Sequence, residues 1–325
     1  MIITKTPYRI SLFGGGSDFP QWYLKNEGKV ISFAINKYCY LSLRELPEYF
    51  EHRYRIVYSK VEEKKSILEI SHPAVRVALQ KYLPNKFVEV HHFGDLPAKS
   101  GVGSSSAFAV GLINAIKNFL GEPVEAYTLA KEAINFEQRD LKENVGSQDQ
   151  VAATFGGFNS IQFKKNDSFL VNPLNLESRV KEEIESRVCL IFSKVTRFSS
   201  DISRKFLENL PLNSTLMEKN MELTNRAEEI LLNNGNLDDI GQLLNENFKL
   251  KCEMNPDSIN SDLIEVFNIG MKNGALGGKV IGAGGGGFIL FWLPKDLKLE
   301  FMSKMKKFLP VDTKISNHGS RVILS

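Results

Sequence analysis

The sequence predicts an α+β protein with two lobes. Strand-like and helix-like segments are intermixed along the 325 residues, without the regular strand–helix alternation of a doubly wound sheet. Three segments rich in glycine and hydroxyl residues lie far apart in the chain, at 7–18, 96–107 and 279–288. Because glycine lets backbone N–H groups approach a ligand closely, the three segments together predict a cage for phosphate.

The first lobe is predicted from alternating and helically spaced apolar residues. Residues 31–35 alternate as in a half-buried strand, and the apolar residues of 108–119 recur at helical spacing until Gly121 ends the run. The expected strands are 1–12, 28–43, 54–59 and 87–93, and the expected helices are 73–83, 104–120 and one beginning near 126. The sequence 164–167 predicts a hairpin turn.

The lobe boundary is predicted where the composition shifts, near 164–187, so that the lobes span 1–176 and 177–325. In the second lobe we expect strands at 188–192, 288–292 and 320–324, and helices at 201–209, 215–234, 237–251, 260–273 and 295–308.

Composition and charge limit the possible functions. Hydrophobic residues make up 42% and charged residues 24%, as in ordinary globular proteins, and the net charge of +3 is too small to indicate nucleic acid or an anionic membrane as partner. Three distant cysteines argue against a disulfide framework or a zinc site. No leader-like segment or bilayer-spanning apolar run is visible, so we expect a cytoplasmic monomer or homodimer.

The middle glycine segment predicts a phosphate-binding loop. Its glycines and serines enter the helix expected at 104, whose free N–H groups favour anions, and a serine hydroxyl can bind Mg²⁺. No Gly-Lys-Ser/Thr ends the loop, so it is not a Walker A loop, and Ser106 replaces the third glycine of a Gly-x-Gly-x-x-Gly pattern. A serine-capped helix after a glycine loop is the alternative.

Two carboxylates follow this helix. Glu137 occupies the next position of the apolar stripe formed by 126–134, where a charge is costly unless it is paired or binds a metal. The alternative is that the helix frays and Glu137 is solvated.

Asp149 begins an apolar segment. It is an ordinary helix N-terminal charge unless it faces the phosphate loop, where it could accept a hydroxyl proton.

The outer glycine segments also suit a ligand. Arg9 would bind a phosphate or carboxylate, although an ordinary ion pair is the alternative. Four consecutive glycines, 284–287, forfeit much backbone entropy and must be held by what they approach. The alternative for them is a tight connection packed on the other lobe.

In this order the three segments resemble those of the GHMP kinases, which include galactokinase, homoserine kinase and mevalonate kinase. The stretches 6–18, 147–150, 155–158 and 195–197 are most similar to the D-glycero-D-manno-heptose 7-phosphate kinases, and the Gly-Glu-His of galactokinases is absent. The resemblance implies a ribosomal-S5-like N-terminal lobe and a ferredoxin-like C-terminal lobe with ATP in the cleft. It also implies Mg²⁺ as cofactor and transfer of the γ-phosphoryl group to an anomeric hydroxyl, that on C1 of heptose 7-phosphate.

The resemblance also implies residue roles. Asp149 is implied as the catalytic aspartate with Arg9 beside it, and Ser105 and Glu137 as the Mg²⁺ ligands, with Ser104 an open alternative to Ser105. The implied ATP-binding residues are Lys99, Gly101, Val102, Gly103, Ser104, Ser105 and Ser106. The implied acceptor-binding residues are Ser17, Asp18, Thr196, Arg197, Gly284, Gly285 and Gly286. Lys194 is a further candidate for an acceptor's phosphate.

The sequence leaves alternatives open both for the acceptor and for the presence of catalytic activity. Tyr8, Lys194 and 198–200 depart from the heptose kinases at positions expected near the acceptor pocket. A kinase of another sugar, or of homoserine or mevalonate type, would share the ATP half of the molecule, and a sugar or nucleotide sensor without turnover would share the whole fold. The joint presence of Ser105, Glu137 and Asp149 favours an enzyme.

Overall fold

The computed structural model describes residues 1–194, 199–256, 261–282 and 285–325. The helices are α1 Pro20–Asn26, α2 Pro73–Tyr82, α3 Ser104–Phe119, α4 Ala126–Asn135, α5 Gln148–Phe155, α6 Ser178–Arg187, α7 Ser199–Asn209, α8 Ser214–Leu232, α9 Asp238–Met254, α10 Ser261–Lys272 and α11 Lys298–Lys304. The strands are β1 Ile2–Phe13, β2 Gly28–Glu45, β3 Tyr54–Val57, β4 Val61–Lys64, β5 Val88–Gly94, β6 Phe158–Phe163, β7 Phe169–Pro173, β8 Val188–Phe192, β9 Gly277–Val280, β10 Phe288–Trp292, β11 Pro310–Val311 and β12 Arg321–Leu324.

The first sheet has eight strands and branches at β2. Its main order is β12-β1-β2-β5-β3-β4, while β6 pairs with β2 and β7. The 18-residue β2 is long enough to pair with β6 through 28–33 and with β5 through 39–45. Helix α3 packs on β1 and β2, and Thr4 Oγ1 donates to the carbonyl of Gly111 at 3.0 Å. This close packing fixes the start of α3 relative to β1.

The second sheet has the order β11-β8-β10-β9, and all of its pairs are antiparallel. Numbered along the chain, this order is 4-1-3-2, the arrangement of a ferredoxin-like sheet. The α+β, two-lobed fold expected from the sequence is therefore confirmed. Among the described residues, no helix has the length and apolar character needed to cross a membrane.

The end of the chain corrects the predicted second lobe, 177–325. Asn36 N donates to the carbonyl of Lys314 at 2.9 Å, and β12 pairs antiparallel with β1 in the first sheet. The last strand therefore belongs to the first lobe, because β1 would otherwise present an unpaired edge to solvent. The boundary at 176/177 stays a prediction.

A tight contact between α9 and β9 anchors the second sheet. A methyl group built on Gly277 would lie 1.8 Å from the carbonyl oxygen of Gly241, and one built on Gly241 would lie 2.7 Å from Leu276 Cβ. Only glycine lets the helix backbone approach the strand this closely.

We expect Gly277→Ala to lower the free energy of unfolding by about 3 kcal/mol, because the helix must move away from the strand. Gly121→Ala is the matched control, since its added methyl group meets nothing within 4 Å and only its left-handed backbone (φ 74°) is strained. We expect that control to cost about 1 kcal/mol. Equal losses for the two variants in urea unfolding would contradict the packing argument.

Candidate active site

The middle glycine segment forms a loop, 99–106, that we call the serine loop. Gly101 (φ 84°) and Gly103 (φ 73°) take left-handed conformations, and Gly103 is the residue before α3. No side chain caps this helix start. The first N–H groups of α3 are therefore available to an anion, aided by the helix dipole. The backbone N–H of Lys99 donates to Ser104 Oγ at 3.2 Å, which closes the loop.

The described residues of the last glycine segment, 281–282 and 285–288, which we call the glycine loop, lie against the serine loop. Phe288 N donates to the carbonyl of Ser100 at 3.0 Å. A methyl group on Gly101 would lie 2.6 Å from the carbonyl oxygen of Ile281, and one on Gly282 would lie 2.5 Å from Gly101 Cα. The two loops therefore meet backbone to backbone, which joins the lobes beside α3.

Arg9 and Asp149 form a bidentate ion pair at this junction. Arg9 Nε and Nη2 each donate to an oxygen of Asp149 at 2.7 Å, and Nη1 donates to the carbonyl of Gly101 at 2.6 Å. The Arg9 side chain is 4% exposed and that of Asp149 is 23% exposed. A methyl group on Gly103 would lie 3.2 Å from Asp149 Oδ2. The structure thus brings an accessible carboxylate next to the serine loop.

Glu137 lies in a π-helical turn, Phe136–Asp140, that follows α4. Its side chain is fully buried, as the apolar stripe predicts. Ser105 Oγ donates to Oε1 at 3.1 Å and Gln150 Nε2 donates to Oε2 at 2.5 Å. Burial raises the pKa of Glu137 to about 7, against the lowering effect of a hydrogen bond from Ser106.

No cation pairs with Glu137 among the described residues, and its hydrogen-bond donors, Ser105, Ser106 and Gln150, are all neutral. A buried carboxylate beside a serine hydroxyl is a pair of hard oxygen ligands, which suits Mg²⁺. The described residues contain no cluster of three histidine, cysteine or acidic side chains that could hold a metal by themselves. Mg²⁺ sites in phosphoryl-transfer enzymes take one or two protein oxygens and complete the shell with phosphate and water, so the residues present fit this ion.

Ser17 and Asp18 hold the glycine turn at 14–16 in place through hydrogen bonds to neighbouring backbone. Ser17 Oγ donates to the carbonyl of Gly14 at 2.8 Å and accepts from Lys29 N at 3.1 Å, so it holds the turn in place. Asp18 accepts from the backbone N–H groups of Gly16 at 2.9 Å and Gln148 at 3.3 Å. Burial, and then repulsion by Asp149, raise the pKa of Asp18 to about 6. Asp18 therefore lies at the start of α5, close to Asp149.

The remaining predicted residues differ in placement. Thr196, Arg197 and Gly284 lie outside the described residues. Gly285 and Gly286 are buried in the glycine loop, and Lys194 is exposed at the end of β8. Val102 is buried and its carbonyl accepts from Arg9 N at 3.1 Å. Tyr8 is buried with its hydroxyl against Gly94 at the end of β5, and its place near the acceptor stays a prediction.

Three polar residues at the site have no assigned role in the sequence-based prediction. Gln150 donates to Glu137, and two lysines, Lys251 and Lys279, place their ammonium groups inside the protein. Burial lowers the pKa of Lys251 to about 8 and holds that of Lys279 well below its ordinary value, and the Arg9 charge lowers both further. The available signal was a lysine at position 251 on the apolar stripe of the helix expected at 237–251.

Models of known families match both lobes. The GHMP kinase N-terminal domain matches residues 69–157 and the GHMP kinase C-terminal domain matches residues 227–311, together more than half of the chain. The chain belongs to the GHMP kinases. This GHMP kinase carries its serine loop and α3 within the first match and its glycine loop within the second.

The relatives of this GHMP kinase include kinases of several sugars. It is 29% identical to the D-glycero-alpha-D-manno-heptose 7-phosphate kinase of Campylobacter jejuni subsp. jejuni serotype O:2, over 94% of this chain and 93% of that protein. The crystal structure of a D-glycero-D-manno-heptose 1-phosphate kinase from Bacteriodes thetaiotaomicron superposes with a TM-score of 0.82 at 25% identity, covering 100% of this chain and 99% of that one. The galactokinase of Thermotoga maritima is 23% identical over 95% of both proteins. This GHMP kinase is therefore a phosphotransferase.

The buried Glu137 predicts an unusual dependence of stability on pH. Its pKa in the folded protein lies above the ordinary value of 4.5, so folding binds a proton and this group loses stability as pH rises from about 5 to 8. We expect Glu137→Gln to be more stable than the parent by about 2 kcal/mol at pH 8, with the difference vanishing near pH 5. Urea unfolding at both pH values measures it.

The same variant should bind Mg-ADP more weakly, because an amide replaces the carboxylate. Glu246→Gln, in an exposed ion pair with Arg226, is the control and should change neither quantity. A stability difference that is independent of pH would show that Glu137 is not a buried ionisable group.

Proposed function

We propose that this GHMP kinase transfers the γ-phosphoryl group of ATP to the anomeric hydroxyl of a sugar phosphate, with D-glycero-D-manno-heptose 7-phosphate as acceptor and the 1,7-bisphosphate as product. The observation that carries the proposal is the Arg9–Asp149 pair, held beside Gly103 at the start of α3. A carboxylate at this place can meet an acceptor hydroxyl and a bound triphosphate at once.

The donor half of the reaction rests on the serine loop. Its backbone N–H groups and the start of α3 would bind the triphosphate and stabilise the charge that builds up during transfer. Ser105 and Glu137 would hold Mg²⁺, which when bound supplies positive charge to the phosphate oxygens. Their contact at 3.1 Å favours Ser105 over Ser104 for this role, since Ser104 Oγ accepts from Lys99 N within the loop.

The acceptor half rests on Asp149. The anomeric hydroxyl oxygen attacks the γ-phosphorus, the bond from that phosphorus to the ADP oxygen breaks, and the hydroxyl proton passes to the Asp149 carboxylate. Arg9 fixes both oxygens of this carboxylate, and its Nη1 bond to Gly101 ties their position to the serine loop. Arg9 would thereby fix the distance between the acceptor hydroxyl at Asp149 and the triphosphate at the serine loop. Positioning of this kind supplies much of the rate.

The acceptor is the finer part of the proposal. The Campylobacter relative is named for heptose 7-phosphate and the Bacteriodes structure for heptose 1-phosphate. These names differ in the position of the phosphate, so both regiochemistries need testing. ATP as donor and Mg²⁺ as cofactor are supported by the family and by the fit of Ser105 and Glu137.

The test is ADP release with Mg-ATP against a panel of acceptors: mannoheptose 7-phosphate, mannoheptose 1-phosphate, mannose 6-phosphate, galactose, fucose and mevalonate. Turnover on the 7-phosphate, with the product identified as the 1,7-bisphosphate, would support the proposal. Turnover on galactose, fucose or mevalonate alone would replace the acceptor. Nucleotide binding with no turnover on any acceptor would favour a sensor.

We expect Asp149→Asn to lower kcat by about 10³-fold on the acceptor that the parent uses, because an amide cannot take the hydroxyl proton. Asp238→Asn is the matched control, since Asp238 also pairs with a buried arginine, Arg187, at 2.6 Å. Its kcat should stay within about twofold of the parent. Retention of full activity in Asp149→Asn, with Mg-ADP binding intact in both variants, would remove Asp149 from the mechanism.

A further inference from the structure

Lys251 lies near the end of α9 and directs its ammonium group away from solvent. Nζ donates to the carbonyl of Val280 at 2.9 Å and to that of Gly282 at 2.6 Å. These two carbonyls flank Ile281, where the chain leaves β9 and enters the glycine loop. Within the described ranges, Lys251 has no carboxylate at ion-pair distance. A desolvated, unpaired ammonium group is costly, so packing alone does not account for a lysine here.

The segment that Lys251 holds is the one that meets the serine loop. Ile281 presents its carbonyl to Gly101, and Gly282 is in backbone contact with Gly101. The carbonyl of Gly101 in turn accepts from Arg9 Nη1 at 2.6 Å. A continuous chain of contacts therefore runs from Lys251 through the glycine loop and Gly101 to Arg9.

The contact between the loops consists of backbone, with the hydrogen bond from Phe288 N to the carbonyl of Ser100. It is made by glycine backbone, and glycine is the residue that loses most conformational freedom on ordering. Lys251, on α9, holds two carbonyls of this segment, those of Val280 and Gly282, and so reduces that freedom. Because Gly101 belongs to the serine loop, we expect Lys251 to affect the donor half of the site.

We propose that Lys251 is a positioning residue for the nucleotide: by holding the carbonyls of Val280 and Gly282, it keeps the glycine loop pressed on Gly101 and the serine loop set for the triphosphate. The proposal rests on the proposed function for the identity of the nucleotide. It adds a residue of the C-terminal lobe that acts on ATP through backbone contacts, without touching the triphosphate itself.

The experiment compares Lys251→Met, Lys251→Arg and the parent, with Lys249→Met as control on the exposed side of the same helix. Affinity for Mg-ADP is measured by calorimetry, and KM for ATP, KM for the acceptor and kcat are measured separately. We expect Lys251→Met to weaken Mg-ADP binding and to raise KM for ATP about tenfold, with KM for the acceptor changed less than about twofold. Lys251→Arg should recover most of the affinity, since its N–H groups can reach the same carbonyls.

A merely structural role predicts a different result. It would lower thermal stability and the active fraction, and leave the KM values of the remaining folded protein unchanged. Mg-ADP affinity in Lys251→Met equal to that in Lys249→Met would overturn the proposal. If Lys251→Met does not fold, Lys251→Gln serves in its place, because it keeps one donor group and loses the charge and the second contact. Parent-like affinity in that variant would overturn the proposal equally.

Failure of the proposed function has its own outcome. A parent protein that binds no nucleotide would refute the kinase proposal before Lys251 is considered. Normal nucleotide binding with turnover on an unexpected acceptor would change the acceptor and leave the role of Lys251 standing.

Discussion

The structure depends on the backbone contact between Ser100–Gly101 and the glycine loop. The lobes are joined there without intervening side chains, because methyl groups on Gly101, Gly282 or Gly287 would lie 2.2 to 2.6 Å from the facing backbone. This closeness places the start of α3, from the first lobe, against the exit of β9, from the second. Arg9 bonds Gly101 from the other side, so the ion pair with Asp149 is assembled on the same junction.

Charge around this junction is left incompletely neutralised on both sides. Glu137 and Asp18 are buried acids whose pKa values burial raises to about 7 and about 6. Lys251 and Lys279 are bases whose pKa values burial lowers, and they lie close enough to Arg9 for its charge to oppose theirs. A packing core would not retain such groups, since each is costly without a partner. Such groups of both signs are expected at a site that binds a cation and an anion together.

The sequence predicted the parts of the fold whose patterns are long. Helices α3, α8, α9 and α10 and strands β1, β2 and β10 lie where periodicity placed them, and the turn at 164–167 joins β6 to β7. Some short elements were not predicted, among them α1, β4 and β9, because windows of so few residues show no clear period. The final strand was predicted, but its return to the first lobe was not, since pairing with β1 is a tertiary contact.

The candidate site, like the fold, was predicted only in part. Glu137 was found because a carboxylate interrupted an apolar stripe, and Lys251 interrupts another stripe in the same manner. From the residues alone, Asp149 could be an ordinary helix N-terminal charge and Arg9 part of an ordinary ion pair. Only the family resemblance placed them side by side, because their meeting across 140 residues is a property of the fold. The role of Gln150 was hidden because it depends on the π-helical turn that brings Glu137 over α5.

The opposed pKa shifts couple the two lobes through the ligand. Mg²⁺ at Glu137 would favour the ionised acid, and a triphosphate beside Arg9 would favour the protonated forms of Lys251 and Lys279. Each ligand would thus relieve a cost that the ligand-free protein bears, and the two costs lie in different lobes. Since anything that binds the folded state alone stabilises it, Mg-nucleotide should strengthen the junction itself.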